Sequence, residues 1–97
     1  MKPHHDTEPE ARTIAIAALS YLATEPAELA RFLALSGIGP DSLRLAARSE
    51  AFLGGVLDFV LQDDAMVIAV ARAQEIPPEA IVAARRVLDG RPPVESF

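Results

Sequence analysis

The chain contains no cysteine and no tryptophan, and its 97 residues include only four phenylalanines and one tyrosine. Without cysteine, the sequence excludes disulfide bonds, thiolate metal ligands and a cysteine nucleophile. This fits the reducing cytoplasm, and we expect a cytoplasmic location. With so few aromatic residues, the core has to be built from alanine, leucine, valine and isoleucine. Such a core favours closely packed helices over sheets, because alanine leads the helix scale and is depleted in strands.

The sequence also lacks an excess of positive charge and a long hydrophobic run. Nine basic residues stand against fourteen acidic ones, which gives a formal net charge of −5. Nucleic acid is therefore disfavoured as a partner, because neutralisation of phosphate supplies most of the affinity of such proteins. The longest apolar stretch, residues 14–23, covers about half of the ~20 residues that a bilayer crossing needs, so we expect no membrane association.

Residues that carry chemistry are sparse. The two histidines, His4 and His5, are neighbours in an N-terminal tail, and two adjacent residues do not set the geometry of a metal site. A Ser-His-Asp arrangement would have to recruit one of them. Asp58, Asp63 and Asp64 are explained by solvent exposure and helix capping. We therefore predict no catalytic residue, no metal site, no cofactor and no enzymatic activity.

Signals for the start and end of helices are frequent. Helix starts are predicted at residues 7–9, 24–26, 40, 49, 63–64 and 77–78, and helix ends at Gly37 and Gly90. Apolar residues recur at helical spacing between these signals. The sequence predicts an all-α fold, a compact orthogonal array of about five or six short helices in a single domain. Residues 7–90 would form this domain, residues 1–6 a flexible N-terminal tail, and residues 91–97 a frayed C-terminal tail.

The first predicted helix is apolar on two faces. One face carries Ile14, Ala18, Tyr21 and Leu22, and another carries Ile16, Leu19 and Ala23. A helix of this kind is either central to its domain or shared with a partner. We therefore expect it at the centre of the fold or at a self-association surface.

A glycine pair, Gly54-Gly55, lies inside the fourth predicted helix. Glycine is unfavourable there by roughly 1 kcal/mol per residue relative to alanine, so the pair needs a structural reason. The simplest explanation is a close approach between helices or a kink. The alternative is a hinge or a docking groove.

Residues 30–48 contain a turn, Gly37-Ile38-Gly39, between two predicted helices. This segment resembles the helix-hairpin-helix motif of DNA-binding proteins. The resemblance implies that N–H groups of the hairpin contact a phosphate. Asp41 departs from the motif, which usually has a basic or small polar residue there, and Arg44 and Arg48 could compensate only in part. The alternative is a structural turn in which Ile38 is buried.

Three longer stretches carry a second resemblance, namely residues 33–45 (LALSGIGPDSLRL), 52–64 (FLGGVLDFVLQDD) and 76–88 (IPPEAIVAARRVL). With them, the chain resembles a family of small bacterial helical proteins catalogued as a domain of unknown function. The resemblance implies a compact helical domain and transfers no activity and no functional residue.

The sequence therefore predicts a protein–protein interaction or adaptor module without catalytic activity, with a protein partner or self-association. The alternative is a nucleic-acid-associated domain of the helix-hairpin-helix type that contacts phosphate through the Gly37–Gly39 turn. The candidate interaction surface consists of Gly37, Ile38, Gly39, Arg44, Arg48, Gly54 and Gly55.

Overall fold

The computed structural model describes residues 8–89, and these residues form six α-helices and no strand. The helices are α1 (Glu8–Ala23), α2 (Pro26–Ser36), α3 (Leu43–Ala46), α4 (Glu50–Leu61), α5 (Asp64–Gln74) and α6 (Pro78–Asp89). The prediction of a compact all-helical domain with about six helices is confirmed. The two predicted tails, with His4 and His5, and the predicted helix end at Gly90 lie outside the described residues.

The predicted capping residues set the ends of several helices. The Ser49 hydroxyl accepts a hydrogen bond from the Phe52 N–H at 3.2 Å, and Asp63 Oδ1 accepts one from the Ala65 N–H at 3.0 Å. Each of these bonds satisfies a backbone donor that has no partner inside its helix. Gly37 ends α2 in the left-handed conformation at φ 76°, which glycine adopts without strain.

The core lies around α1 and α4, each of which packs against α5 and α6 as well as against the other. Its fully buried large side chains are Leu22, Leu53, Val56, Leu57, Val60, Val70 and Ile81. No polar or charged side chain is buried in the part of the chain for which burial is described. Burial of aliphatic surface therefore stabilises the interior, without a buried polar network.

Helix α1 lies at the centre of the fold, which is one of the two positions predicted for it. Ile14 and Leu22 on the first face are buried, and Leu19 on the second face is buried as well. Only Ile16 remains as a large exposed apolar residue of this helix, at 45% exposure. The chain itself therefore covers the second face at Leu19 and leaves it open at Ile16.

The third predicted helix is shorter than a regular helix. A 3₁₀ turn (Pro40–Ser42) leads into α3, which is a single turn. Leu43 and Ala46 of α3 and the C-cap residue Ala47 are half-buried, and no residue of α3 is fully buried. A single turn has too few side chains on one face to reach deep into the core, so this segment covers the domain at its surface.

Within residues 8–89, none of the helices combines the length and the apolar character that a bilayer crossing would require.

Candidate interaction groove

Three phenylalanines hold α2 against α4. The ring centroid of Phe32 lies 5.5 Å from that of Phe52 and 5.3 Å from that of Phe59, with interplanar angles of 64° and 63°. Aromatic rings favour such edge-to-face contacts, because the positive edge of one ring meets the negative face of the other. Phe32 and Phe59 are buried, so this cluster fixes the position of α2 on the domain.

An open groove lies between α2 and α4 beside this cluster, and its volume is about 220 Å³. We call it the α2–α4 groove, and its lining residues are Phe32, Leu35, Ser36, Gly55, Asp58, Phe59 and Gln62. Its volume is below the roughly 300–1,000 Å³ of pockets that hold small molecules. The groove therefore has room for one or two side chains of a partner rather than for a metabolite or a cofactor.

The apolar surface of the groove is accessible to solvent at two of its lining residues. Leu35, on the last turn of α2, is 71% exposed, the highest value among the large hydrophobic residues described. Gly55, on the facing side, has no side chain, and a Cβ atom built there would meet no heavy atom within 4 Å. A larger residue than glycine at position 55 would project into this open space.

The two glycines of the predicted pair have different surroundings. A Cβ atom at Gly54 would lie 3.9 Å from the Leu88 Cβ and 4.0 Å from the Leu88 carbonyl oxygen. Gly54 therefore lies at the contact between α4 and α6, as the close-approach interpretation predicts, although the contact leaves room for a methyl group. Gly55 lines the α2–α4 groove instead.

A second hollow, of about 270 Å³, continues along α2 towards its N-terminus. We call it the acidic hollow, and its lining residues are Tyr21, Glu25, Glu28, Asp63, Ala65, Met66 and Ala69. Glu28 precedes Phe32 by four residues, so both lie on one face of α2. Gln62 of the groove and Asp63 of the hollow are neighbours in the sequence. The hollow and the groove therefore follow one another along α2, although they share no lining residue.

The side chain of Arg31 lies at the boundary between the groove and the hollow. Its guanidinium carbon is 4.7 Å from the centroid of the Phe59 ring, and its Nη2 donates a hydrogen bond to Glu28 Oε1 at 2.8 Å. The ring face attracts the cation through its quadrupole, and the carboxylate attracts it directly. This boundary is therefore a place where the protein stabilises a positive charge.

A second ion pair lies at the edge of the groove. The Arg85 Nε donates a hydrogen bond to Asp58 Oδ1 at 3.0 Å, with both side chains partly exposed. The pair joins α4 to α6 over a sequence separation of 27 residues. The sequence pattern explained Asp58 by solvent exposure alone, because periodicity does not reveal which residue of another helix will face a given side chain.

The predicted hairpin turn is exposed at both glycines, and Ile38 between them is half-buried. The Gly37 N–H donates to the Leu33 carbonyl at 2.9 Å, and the Ile38 N–H donates to the Ser36 hydroxyl at 3.3 Å. The exposure agrees with the phosphate-binding alternative. However, two of the three N–H groups that would contact a phosphate already have partners within the chain.

Arg44 and Arg48 are exposed. Arg44 lines a separate open hollow of about 340 Å³ with Leu19, Pro40, Leu43 and Ala47. This hollow shares no lining residue with the α2–α4 groove. The structure therefore divides the predicted surface between two places, with Gly55 in the groove and Arg44 in the other hollow.

Apart from Gly55, the residues that line the groove were not identified as interaction residues from the sequence. Phe32 was expected on the inner face of its helix, and Leu35 and Phe59 were not assigned to a site. One signal for Leu35 was available, because it is apolar, follows Phe32 by three residues and lies at the edge of the inner face that carries Leu29 and Leu33.

Among residues 8–89, no group of three or more His, Cys, Asp or Glu side chains is arranged to hold a metal ion. The sequence-based expectation that the protein has no cofactor and no catalytic residue stays a prediction.

Comparison with known proteins identifies a family. A family model described as "Protein of unknown function (DUF3572)" matches residues 8–91, which is most of the chain. No curated protein and no solved structure matches the chain.

Proposed function

Because the chain belongs to the family described as "Protein of unknown function (DUF3572)", its function has to be inferred from its geometry, and we propose that it is a protein–protein interaction module. The partner binds in the α2–α4 groove, and the module has no catalytic activity of its own. The cytoplasm is the proposed location, which is consistent with a chain that has no cysteine.

The observation that supports this function best is the exposure of Leu35 beside an open apolar groove. Leu35 is 71% exposed although two buried phenylalanine rings, Phe32 and Phe59, line the same groove. Complete burial of a leucine side chain is favourable by roughly 1.5–3 kcal/mol. A partner that covers Leu35 and fills the space at Gly55 would gain part of this free energy, and apolar anchors of this kind dominate the affinity of many protein interfaces.

The hydrogen bonds of the Gly37–Gly39 turn make the nucleic-acid alternative less favourable. The N–H groups of Gly37 and Ile38 are engaged within the chain, and the net charge of −5 opposes the approach of a polyanion. Nucleic-acid binding is therefore an alternative outcome of the crosslinking experiment, and nuclease treatment would reveal it.

The test is site-specific photo-crosslinking in the cells that naturally contain the protein. A benzoylphenylalanine replaces Leu35 in one variant and Leu45 in the other. Leu45 is the matched control, because it is a leucine of similar exposure, 66%, and does not line the groove. We expect position 35 to give a discrete adduct with another protein that nuclease treatment does not remove, and position 45 to give none.

Other results would contradict the proposal or redirect it. Adducts at position 45 but not at position 35, or no adduct at either, would rule out the groove as the binding site. An adduct with the mass of two copies of this chain would identify self-association as the interaction. Adducts that disappear with nuclease treatment would favour the nucleic-acid alternative.

A further inference from the structure

The α2–α4 groove and the acidic hollow lie one after the other on the surface of the domain, along α2. Glu28, Phe32 and Leu35 follow each other at intervals of three or four residues, so they share one face of α2, and Glu25 is the N-cap residue before its first turn. Leu35 and Phe32 line the groove, and Glu25 and Glu28 line the hollow. The surface therefore changes from apolar to acidic along the axis of α2.

The charges of this surface are unbalanced. Four carboxylates line it, namely Glu25, Glu28, Asp58 and Asp63. Two of them have an arginine partner, because Arg31 pairs with Glu28 and Arg85 with Asp58. Glu25 and Asp63 form no ion pair within residues 8–89. A partner of positive charge is therefore complementary to the hollow, and a partner of negative charge is not.

The position of Arg31 shows that this surface can hold a guanidinium group. The side chain rests over the Phe59 ring and bonds to Glu28, where the apolar and acidic parts meet. A basic side chain of a partner would find a similar combination of carboxylates and an aromatic ring in the hollow, where Tyr21 lies beside Glu25 and Glu28.

The helix along which the groove and the hollow lie is short. α2 has 11 residues, which corresponds to a helix of about 16 Å and three turns. Amphipathic helices bind in such grooves with apolar side chains at positions i, i+3 or i+4, and i+7.

We infer that the segment bound along α2 is a basic amphipathic helix of another protein, with apolar side chains in the α2–α4 groove and lysine or arginine side chains at the acidic hollow. This inference deepens the proposed function and rests on it. A second copy of this chain is a poorer occupant, because its net charge is also −5 and the two copies would repel each other.

The test uses two synthetic peptides of about 12 residues, a length that gives three helical turns. Both carry leucine and phenylalanine at the apolar positions. One has lysine at the polar positions, and the other has glutamate there. Binding to the full chain is measured by fluorescence anisotropy of the labelled peptide. We expect the lysine peptide to bind at least ten-fold more tightly than the glutamate peptide at low ionic strength, and its affinity to fall as salt is added.

A matched pair of double variants locates the charge effect. Glu25→Gln with Asp63→Asn removes two charges from the hollow, and α5 keeps its cap because asparagine is as good an N-cap as aspartate. Asp41→Asn with Glu79→Gln removes two charges from exposed positions outside the groove and the hollow, so both variants have a net charge of −3 by the same arithmetic, −5 plus 2. We expect about a ten-fold loss of affinity for the first pair and little change for the second.

A second matched pair tests the apolar part without a change of charge. Leu35→Ser should lower the affinity of the chain for the lysine peptide, and Leu45→Ser should leave this affinity unchanged. If both peptides bind equally and both are lost in Leu35→Ser, the inferred charge of the partner is wrong while the groove remains a docking site. If neither peptide binds, if the glutamate peptide binds better, or if the two double variants lose affinity equally, the inference of a basic helix is overturned. Crosslinking at position 35 decides the proposed function independently of these results.

Discussion

The guanidinium of Arg31 lies over the ring of Phe59, with the central carbon 4.7 Å from the ring centroid, although the two residues belong to different helices. The same guanidinium donates a hydrogen bond to Glu28 one turn earlier in α2. The half-exposed Arg31 side chain thus links Glu28, in the first turn of α2, to Phe59, near the end of α4. It covers part of an aromatic ring that would otherwise meet solvent.

This contact predicts a small loss of stability in Arg31→Ala. We expect the free energy of unfolding to fall by about 0.5–1 kcal/mol, since cation–π contacts and ion pairs at exposed positions each contribute about that much or less. Urea denaturation followed by circular dichroism measures the change. Arg48→Ala is the control, because Arg48 is exposed and has no side-chain partner in the described part of the chain. Equal losses in both variants would show that the contact with Phe59 contributes nothing.

The glycine pair of α4 predicts opposite effects on stability and binding. Alanine at Gly54 or at Gly55 should raise the free energy of unfolding by about 0.5–1 kcal/mol, because both glycines lie inside a helix and neither added methyl group clashes. Only Gly55→Ala adds a methyl group to the groove. We therefore expect it alone to reduce the crosslinking yield at position 35. A similar reduction in Gly54→Ala would argue against a direct role of the groove.

Two residues in the left-handed conformation predict a reciprocal pair of stability changes. Gly37 has φ 76° and Glu75 has φ 57°. Gly37→Ala should lower the free energy of unfolding by about 1 kcal/mol, and Glu75→Gly should raise it by about 0.5–1 kcal/mol. The reason is that a residue with a Cβ atom is disfavoured in the left-handed conformation. Gly39→Ala is the control, since Gly39 has φ −79° and open space around it. Thermal or urea unfolding measures all three, and a stabilised Gly37→Ala variant would contradict the assigned turn.

The aliphatic core predicts a large difference between two leucines. Leu57 in α4 is fully buried, and Leu45 in α3 is 66% exposed. Leu57→Ala should lower the free energy of unfolding by about 2–5 kcal/mol, because it leaves a cavity at the centre of the domain. Leu45→Ala should change it by less than about 0.5 kcal/mol. Losses of similar size, measured by urea denaturation, would contradict the position of α4 in the core.

The positions of the helices could be predicted from the sequence because their signals are local. Pro26, Ser49 and Asp63 act on the backbone of their own first turn, and Gly37 acts on the last turn of its helix. Such signals need no knowledge of the remaining fold. The shortness of α3 was harder to predict, because the extent of a helix depends on how much of it the rest of the domain covers.

A docking groove was one alternative for the glycine pair, but its other lining residues could not be predicted, because they depend on which helices meet. The periodicity of α2 places Phe32 on an inner face, but it does not say that Phe52 and Phe59 will be the neighbouring rings. The ion pair between Asp58 and Arg85 could not be predicted for the same reason, because it depends on the packing of α6 against α4. Gly55 was already unusual in the sequence, and only the packing of α2 on α4 showed that the space at this glycine belongs to an open groove.

The acidic hollow also has a spectroscopic consequence. Tyr21, which lines the hollow, is the chain's single tyrosine, and the chain has no tryptophan. All tyrosine emission of the protein therefore originates at this one place. A partner that carries neither tyrosine nor tryptophan could be titrated without any label, and a change in intensity or in quenching by iodide would report that the hollow has been covered.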